Sequence, residues 1–388
     1  MEFKKYKMED ISTFSQGKQV EIENQYTKQF DNMKRFLRII DFTNPNEPLR
    51  YVEDYGNRYY VTKEDLVMIR YGSQTCGKVV IGKEGIIANN MFKINLDNSI
   101  VLNRYAYYFL KQDLVYNYLR SSQNSSTMPS INFGILNKLE IEIPNLDNQR
   151  KIVKVLCNID QKIESNNKIN NNLYELAIKY LNEMQSDEEV TLSKFGKIQG
   201  GYAFKSKDLL DTKTNNRIIK IKNLRNEISA DVINSQFVEN EVIDKLDNKF
   251  KIKKGNVAIA MTGAELGKTG FIYGFDHYYL NQRVGLVRGI TKEKELYLNI
   301  LLLSQEFQDL LNSKGYGSAQ PNVSTADIEN ITIQNIEDDD LMKFYKKVNP
   351  IYKKIILNCE ENLNLEQLRD TLLPKLMNGE IDLDNVEI

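Results

Sequence analysis

Residues 141–177 read IEIPNLDNQRKIVKVLCNIDQKIESNNKINNNLYELA, and a change of pattern inside this stretch decides the architecture. A strand-like run ends at Ile143-Pro144. From Ile152 the apolar positions step by four and three through Leu156, Ile159 and Ile163, pass Asn166 and Asn170, and continue as Leu173, Ala177, Tyr180 and Met184. That spacing is the heptad seam of a long helix packed on a partner helix. No Gly or Pro interrupts it, and Asp147 or Asn148 is placed to cap its start.

The partner is supplied by the chain itself, because the pattern returns 192 positions later as Phe344, Val348, Ile351, Ile355, Asn358, Asn362, Leu365, Arg369, Leu372 and Leu376. Pro350 is expected to kink this second helix and Pro374 to break it. The recurrence extends outside the helices: Gly72 answers Gly263, Gly77-Lys78 answers Gly267-Lys268, Met128-Pro129 answers Gln320-Pro321, and Leu139-Glu140-Ile141 answers Ile331-Thr332-Ile333. A tandem duplication in 388 residues predicts pseudo-two-fold symmetry. Between the helices lie short β-like runs, Arg217 to Ile221 and Asn256 to Met261, and helical patterns at Val101 to Leu119 and Leu296 to Leu311. The expected fold is therefore α+β: residues 1–145 a first globular domain, 146–187 a central helix, 188–337 a second globular domain and 338–388 a C-terminal helix.

Composition narrows the chemistry. With 41% hydrophobic and 27% charged residues, the chain has material for substantial cores. The opening MEFKKYKMED lacks an apolar run and no aliphatic stretch could span a bilayer, so a soluble cytoplasmic protein is expected. Cys76, Cys157 and Cys359 are three and far apart, which suits free thiols in a reducing compartment. The single histidine, His277, sits in the aromatic stretch FIYGFDHYYL, where a packed or hydrogen-bonded role is expected, and leaves no material for zinc sites or His-based triads. The net charge of -1 conceals a partition: residues 1–145 carry 19 Lys and Arg against 17 Asp and Glu, residues 191–336 carry 20 against 16, and the remaining stretches carry 13 against 20. The globular parts are mildly basic, which permits contact with DNA, and the acid lies on the helices.

Enzymatic motifs fail on spacing. Thr262 to Thr269, TGAELGKT, has the outline of a phosphate-binding P-loop, but only three residues separate Gly263 from Gly267 where four are needed. The first copy, GSQTCGKV from Gly72, has four but lacks the hydroxyl after its Lys, and both are followed by β-like sequence instead of a helix. No Pro-Pro occurs anywhere, so the Asn/Asp-Pro-Pro-aromatic motif of an adenine methyltransferase is absent.

The whole chain resembles the specificity (S) subunit of Type I restriction-modification systems, the HsdS family. The resemblance is carried by the 141–177 junction, by LEQLRDTLLPKLMNGEI at 365–381, and in the second half by IKIKNL from Ile219, KGNVAIAMT from Lys254, the Gly263 to Gly270 turn and Leu280-Asn281-Gln282. Weaker versions occur in the first half as LRIIDF at 37–42 and ANN at 88–90, while DLMKFYKKV at 340–348 replaces the Asn-Gln opening of the second helix. The resemblance implies a non-catalytic reader of double-stranded DNA, with two target-recognition domains each taking one half of a bipartite site. The two helices would pack as an antiparallel coiled coil that fixes the unread gap. Two methyltransferase (M) subunits would bring S-adenosylmethionine, and restriction (R) subunits, two where they are encoded, would bring ATP and Mg; this chain needs no cofactor or metal and meets no membrane. The helix length agrees: about 33 seam residues at 1.5 Å give roughly 50 Å, comparable with ~15 base pairs at 3.4 Å each.

Base reading needs polar side chains projected from rigid elements, Arg and Lys towards guanine, Asn and Gln towards adenine, Ser and Thr towards phosphates. The polar turns after strand-like runs supply Arg70, Tyr71, Ser73, Gln74, Lys78, Ser122, Asn124 and Ser126 in the first half. In the second half the candidates are Lys220, Asn223, Arg225, Thr262, Glu265, Lys268, Thr269, Tyr316, Ser318 and Gln320. Asn166, Asn170, Asn358 and Asn362 are candidates for setting the coiled-coil register, since an antiparallel pair would bring Asn166 to Asn362 and Asn170 to Asn358. The rival to DNA reading is a coiled-coil scaffold or adaptor whose globular domains bind protein.

Overall fold

The computed structural model describes residues 2–44, 47–72, 75–121, 130–225, 228–315 and 322–383. The chain divides into two compact units, residues 1–161 with 367–388, and residues 162–366. Each unit combines a globular domain with portions of both long helices.

In the first unit Phe3–Lys7 pairs antiparallel with Glu140–Pro144 and so joins the start of the domain to its end. One four-stranded sheet has the order Ser12–Gln16, Met91–Leu96, Leu66–Ile69, Val79–Ile81, antiparallel throughout. A second has the order Arg50–Glu53, Met33–Leu37, Gly85–Ile87, Tyr60–Val61, with a parallel pairing of Met33–Leu37 on Gly85–Ile87. Leu66–Ile69 is apolar at every position because both its faces are covered: Leu66 and Met68 enter one core, Val67 and Ile69 another.

The second unit repeats this order. Glu189–Thr191 pairs with Thr332–Gln334; Gly196–Gly200, Val284–Gly289, Val257–Ala260 and Thr269–Phe271 form the antiparallel sheet. Gln236–Val238, Asn216–Ile219, Tyr278–Leu280 and Lys251–Ile252 form the mixed one, with Leu209–Leu210 added at its edge. Val257 and Ile259 face one core and Ala258 and Ala260 the other. Each helical pattern of the sequence proves to be two helices: Asn103–Lys111 with Asp113–Ser121, and Lys292–Leu303 with Gln305–Gly315. The second break falls at Ser304, whose extended backbone ends one helix and whose Oγ accepts the Phe307 N–H at 3.2 Å to start the next.

The long helices span Leu146–Met184 and Asp338–Met377. The first is capped by Asn145, not by Asp147 or Asn148: Asn145 Oδ1 accepts the Asn148 N–H at 2.9 Å. Asn148 and Gln149 are buried instead. Neither Pro350 nor Pro374 ends the second helix. It stops where Gly379 takes φ +78°, letting the Ile381 N–H reach back to Lys375 O at 3.1 Å, a left-handed cap that a side chain would strain. The seam also shifts near its end, since Leu181 is buried while Tyr180 is only half-buried. In the first unit Ile152 and Leu156 pack with Leu373, Leu376 and Met377; in the second Ala177 and Leu181 pack with Leu341, Phe344 and Val348. The fold is α+β, two tandem domains each followed by a long helix, and the helices run antiparallel. His277 is exposed, and among the described residues the three cysteines form no disulfide.

Candidate nucleic-acid interface

Three loops meet at one end of the first domain. The turn after Leu66–Ile69 continues the strand ladder, Gly77 N–H to Ile69 O and Ile69 N–H to Lys78 O, both 2.9 Å. Beside it the loop at 88–90 accepts the Arg70 N–H on Asn90 O at 2.8 Å. The third loop crosses at Gly17, so close that a Cβ there would lie 2.1 Å from Ala88 O, and only glycine fits. Arg70 is held by its Nη1 donating to Gln16 Oε1 at 2.8 Å, with its guanidinium 5.0 Å from the Tyr71 ring centre and 5.9 Å from Phe133. Gln16 Nε2 donates to Asn89 O, and Asn89 Nδ2 to Gln19 Oε1. The Lys18 ammonium sits 4.9 Å from the Tyr55 ring centre. Lys78 and Asn89 are exposed.

The second domain rebuilds the same backbone with other side chains. Gly267 N–H bonds Ala260 O at 3.0 Å, Ala260 N–H bonds Lys268 O at 2.8 Å, and Met261 N–H bonds Arg283 O at 3.1 Å, so Met261 stands where the first domain has Arg70. Gly201 repeats Gly17, its Cβ position 2.1 Å from Asn281 O. Ile219 O accepts the Asn281 N–H at 3.1 Å, which brings Lys220 beside this loop. Lys220 Nζ donates to Gln236 Oε1, and burial, then the Lys222 charge, pushes its ammonium below the usual lysine range. Thr262 is half-buried and bridges to Asn322. Glu265 and Lys268 pair with each other, and Arg225 pairs with Asp231.

Two candidates are framework. Asn223 is wholly buried: its Oδ1 accepts the Lys220 N–H at 2.9 Å and its Nδ2 donates to Asp231 O at 2.9 Å. The first domain holds Asp41 in the same place, buried, with Oδ2 accepting the Arg38 N–H at 2.9 Å. Thr269 is also wholly buried, its Oγ1 accepting from Gln308 Nε2 at 3.1 Å. A buried side chain with its bonds filled inside the domain has nothing to offer a base edge, so both leave the candidate set. Ser73, Gln74, Ser122, Asn124, Ser126, Tyr316, Ser318 and Gln320 lie outside the described residues.

Residues 1–175 and 188–336 match the family model of the Type I restriction modification DNA specificity domain. The chain belongs to that family. It is 25% identical over 335 residues, 80% of its own length and 76% of the relative's, to the Type I restriction enzyme MjaIX specificity subunit of Methanocaldococcus jannaschii. To the MjaVIII specificity subunit of the same organism it is 24% identical over 358 residues, 85% of this chain and 82% of the other. A crystal structure of the Type-I restriction-modification system S subunit from M. genitalium shares the fold, with TM-score 0.57 and 18% identity over 97% of this chain and 96% of that one.

For this specificity-domain pair, sequence reasoning missed the loop residues beside its own candidates. Gln16, Lys18 and Asn89 border Arg70, and exposed Gln282 and Arg283 occupy the turn between Tyr278–Leu280 and Val284–Gly289. For Asn89 and Gln282 a signal was present in the family-like ANN and Leu280-Asn281-Gln282 runs. Among the described residues no cluster of His, Cys, Asp and Glu could hold a metal, and no helix is long and apolar enough to cross a membrane.

Proposed function

We propose that this chain is the DNA-reading subunit of a Type I restriction-modification complex and carries no catalytic site. Residues 1–145 and 188–337 are the two readers, each taking one half of a bipartite site in double-stranded DNA; residues 146–187 and 338–388 are the spacer. The observation that carries the reading is the repeated loop frame: one backbone hydrogen-bond pattern presents Arg70, Lys78 and Asn89 in one domain and Lys268, Gln282 and Arg283 in the other. An invariant frame with variable polar tips suits two readers of unlike sequence. Arg70, Tyr71, Lys78, Lys220, Arg225, Thr262, Glu265 and Lys268 remain proposed contacts, joined by Asn89, Gln282 and Arg283.

Chemistry is assigned to partners in the cytoplasm: two M subunits holding S-adenosylmethionine, and R subunits with ATP and Mg where they are encoded. The test is gel shift with random-site selection in the presence of the M subunit. Recovery of a bipartite sequence with a fixed gap supports the reading; recovery of no sequence, with the M subunit still bound, returns the protein to a scaffold.

A further inference from the structure

The two apolar cores stop short of the middle of the long helices, where Ile159 and Leu363 are the buried apolar residues. Along the central helix the first unit's core takes its last residue at Cys157 and the second unit's takes its first at Leu173; along the C-terminal helix the corresponding residues are Leu372 and Cys359. Amides occupy the seam inside this interval and at its edge. Asn166 Nδ2 donates to Asn362 Oδ1 at 2.8 Å, and Asn358 Nδ2 donates to Asn170 Oδ1 at 2.8 Å. Asn362 Nδ2 in turn reaches Asn167 Oδ1 at 2.8 Å. Asn166, Asn170 and Asn358 are 1–2% exposed and Asn362 8%.

Apolar seams tolerate displacement, because one aliphatic contact replaces another at little cost. Amide pairs do not: each needs one partner at one distance, and a displaced helix leaves a buried N–H or C=O unpaired, which costs more than the bond contributed. Leucine at these positions would hold the helices more tightly but specify their alignment less.

We propose that the Asn166–Asn362 and Asn170–Asn358 pairs are positioning residues that fix the register of the spacer helices and, through it, the number of unread base pairs between the half-sites. The second clause rests on the function proposed above. Replacing Asn166, Asn170, Asn358 and Asn362 together by Leu raises the melting temperature and spreads methylation, assayed with the M subunit, over more than one gap length. Asn166→Leu alone lowers the melting temperature by stranding the Asn362 carbonyl, and Asn166→Leu with Asn362→Leu restores it. This pair is mapped in the same way if the fourfold variant does not fold. A single unchanged gap in the Leu variants overturns the register role, since an amide layer that served only stability would move melting and leave the gap alone. If the wild-type chain directs methylation to no bipartite site, the functional reading fails instead.

Discussion

Tyr108 Oη donates a 2.7 Å hydrogen bond to Asp160 Oδ2, tying the helix Asn103–Lys111 of the first domain to the long central helix. Arg369 Nη1 holds the other oxygen of the same carboxylate at 2.9 Å. Burial, then the bonds to Cys157 and Asp160, keeps the Tyr108 phenol protonated far above the usual tyrosine range. Tyr108→Phe removes a bond to a charged acceptor, and a loss of about 1.5–3 kcal/mol is expected, read as a fall in the denaturant midpoint. An unchanged midpoint would mean that the domain is held on the helix by apolar packing alone.

Gln149 predicts a difference between the two helix starts. Its Oε1 accepts the Leu102 N–H at 2.8 Å and its Nε2 donates to Ile100 O at 2.8 Å and Pro144 O at 2.9 Å. The position 192 residues on is Leu341, buried in the second core. Gln149→Leu should therefore destabilise by about 2–4 kcal/mol, several buried backbone groups losing their partner, although the duplicated helix uses that very residue. Thermal melting checks it, and a neutral result would show that water replaces the amide.

Alkaline sensitivity follows from buried phenols. Burial raises Tyr174 and Tyr297 to about 12 and the Cys359 thiol to about 12. A group whose pKa is raised on folding contributes stability that is complete below its unfolded value and is lost as pH rises through the folded one. For the tyrosines that loss runs from roughly pH 10 to 12, on the order of 1 kcal/mol at pH 11 for the fully buried Tyr297. Tyr297→Phe should flatten the fall of melting temperature above pH 10, at the cost of the bond to Gln334 O at neutral pH. Parallel curves for variant and wild type would count against the assignment.

Lys78 and Asn223 should behave oppositely. Lys78→Ala is expected to weaken DNA binding and reduce the log-log salt slope by about 0.9, the share of one phosphate contact. Asn223→Ala should lower the melting temperature, through its two backbone partners, while the folded fraction keeps the wild-type slope. An unchanged slope for Lys78→Ala moves that residue off the interface.

The duplication and the helix seam were legible because periodicity survives in the residues themselves: Asn166 and Asn358 share a heptad position, and Gly77 and Gly267 share a turn. Burial was less legible. Asn223 follows a strand-like run, as an exposed turn residue would, yet its amide closes the turn on Lys220. Thr269 looked like the end of a polar turn but is the first residue of a sheet's edge strand, buried beneath Gln308. Pro374 lies in the last turn of its helix, where the loss of one donor does not stop the chain before Gly379 does. The 88–90 and 281–283 loops became candidates only when folding placed them beside Arg70 and Met261.

The most direct test of two independent readers on one spacer is exchange of residues 191–336 for the equivalent segment of another family member, followed by methylation mapping with the M subunit. The account predicts a new sequence in one half-site, with the other half-site and the gap unchanged. A change in both half-sites, or in the gap, would contradict it.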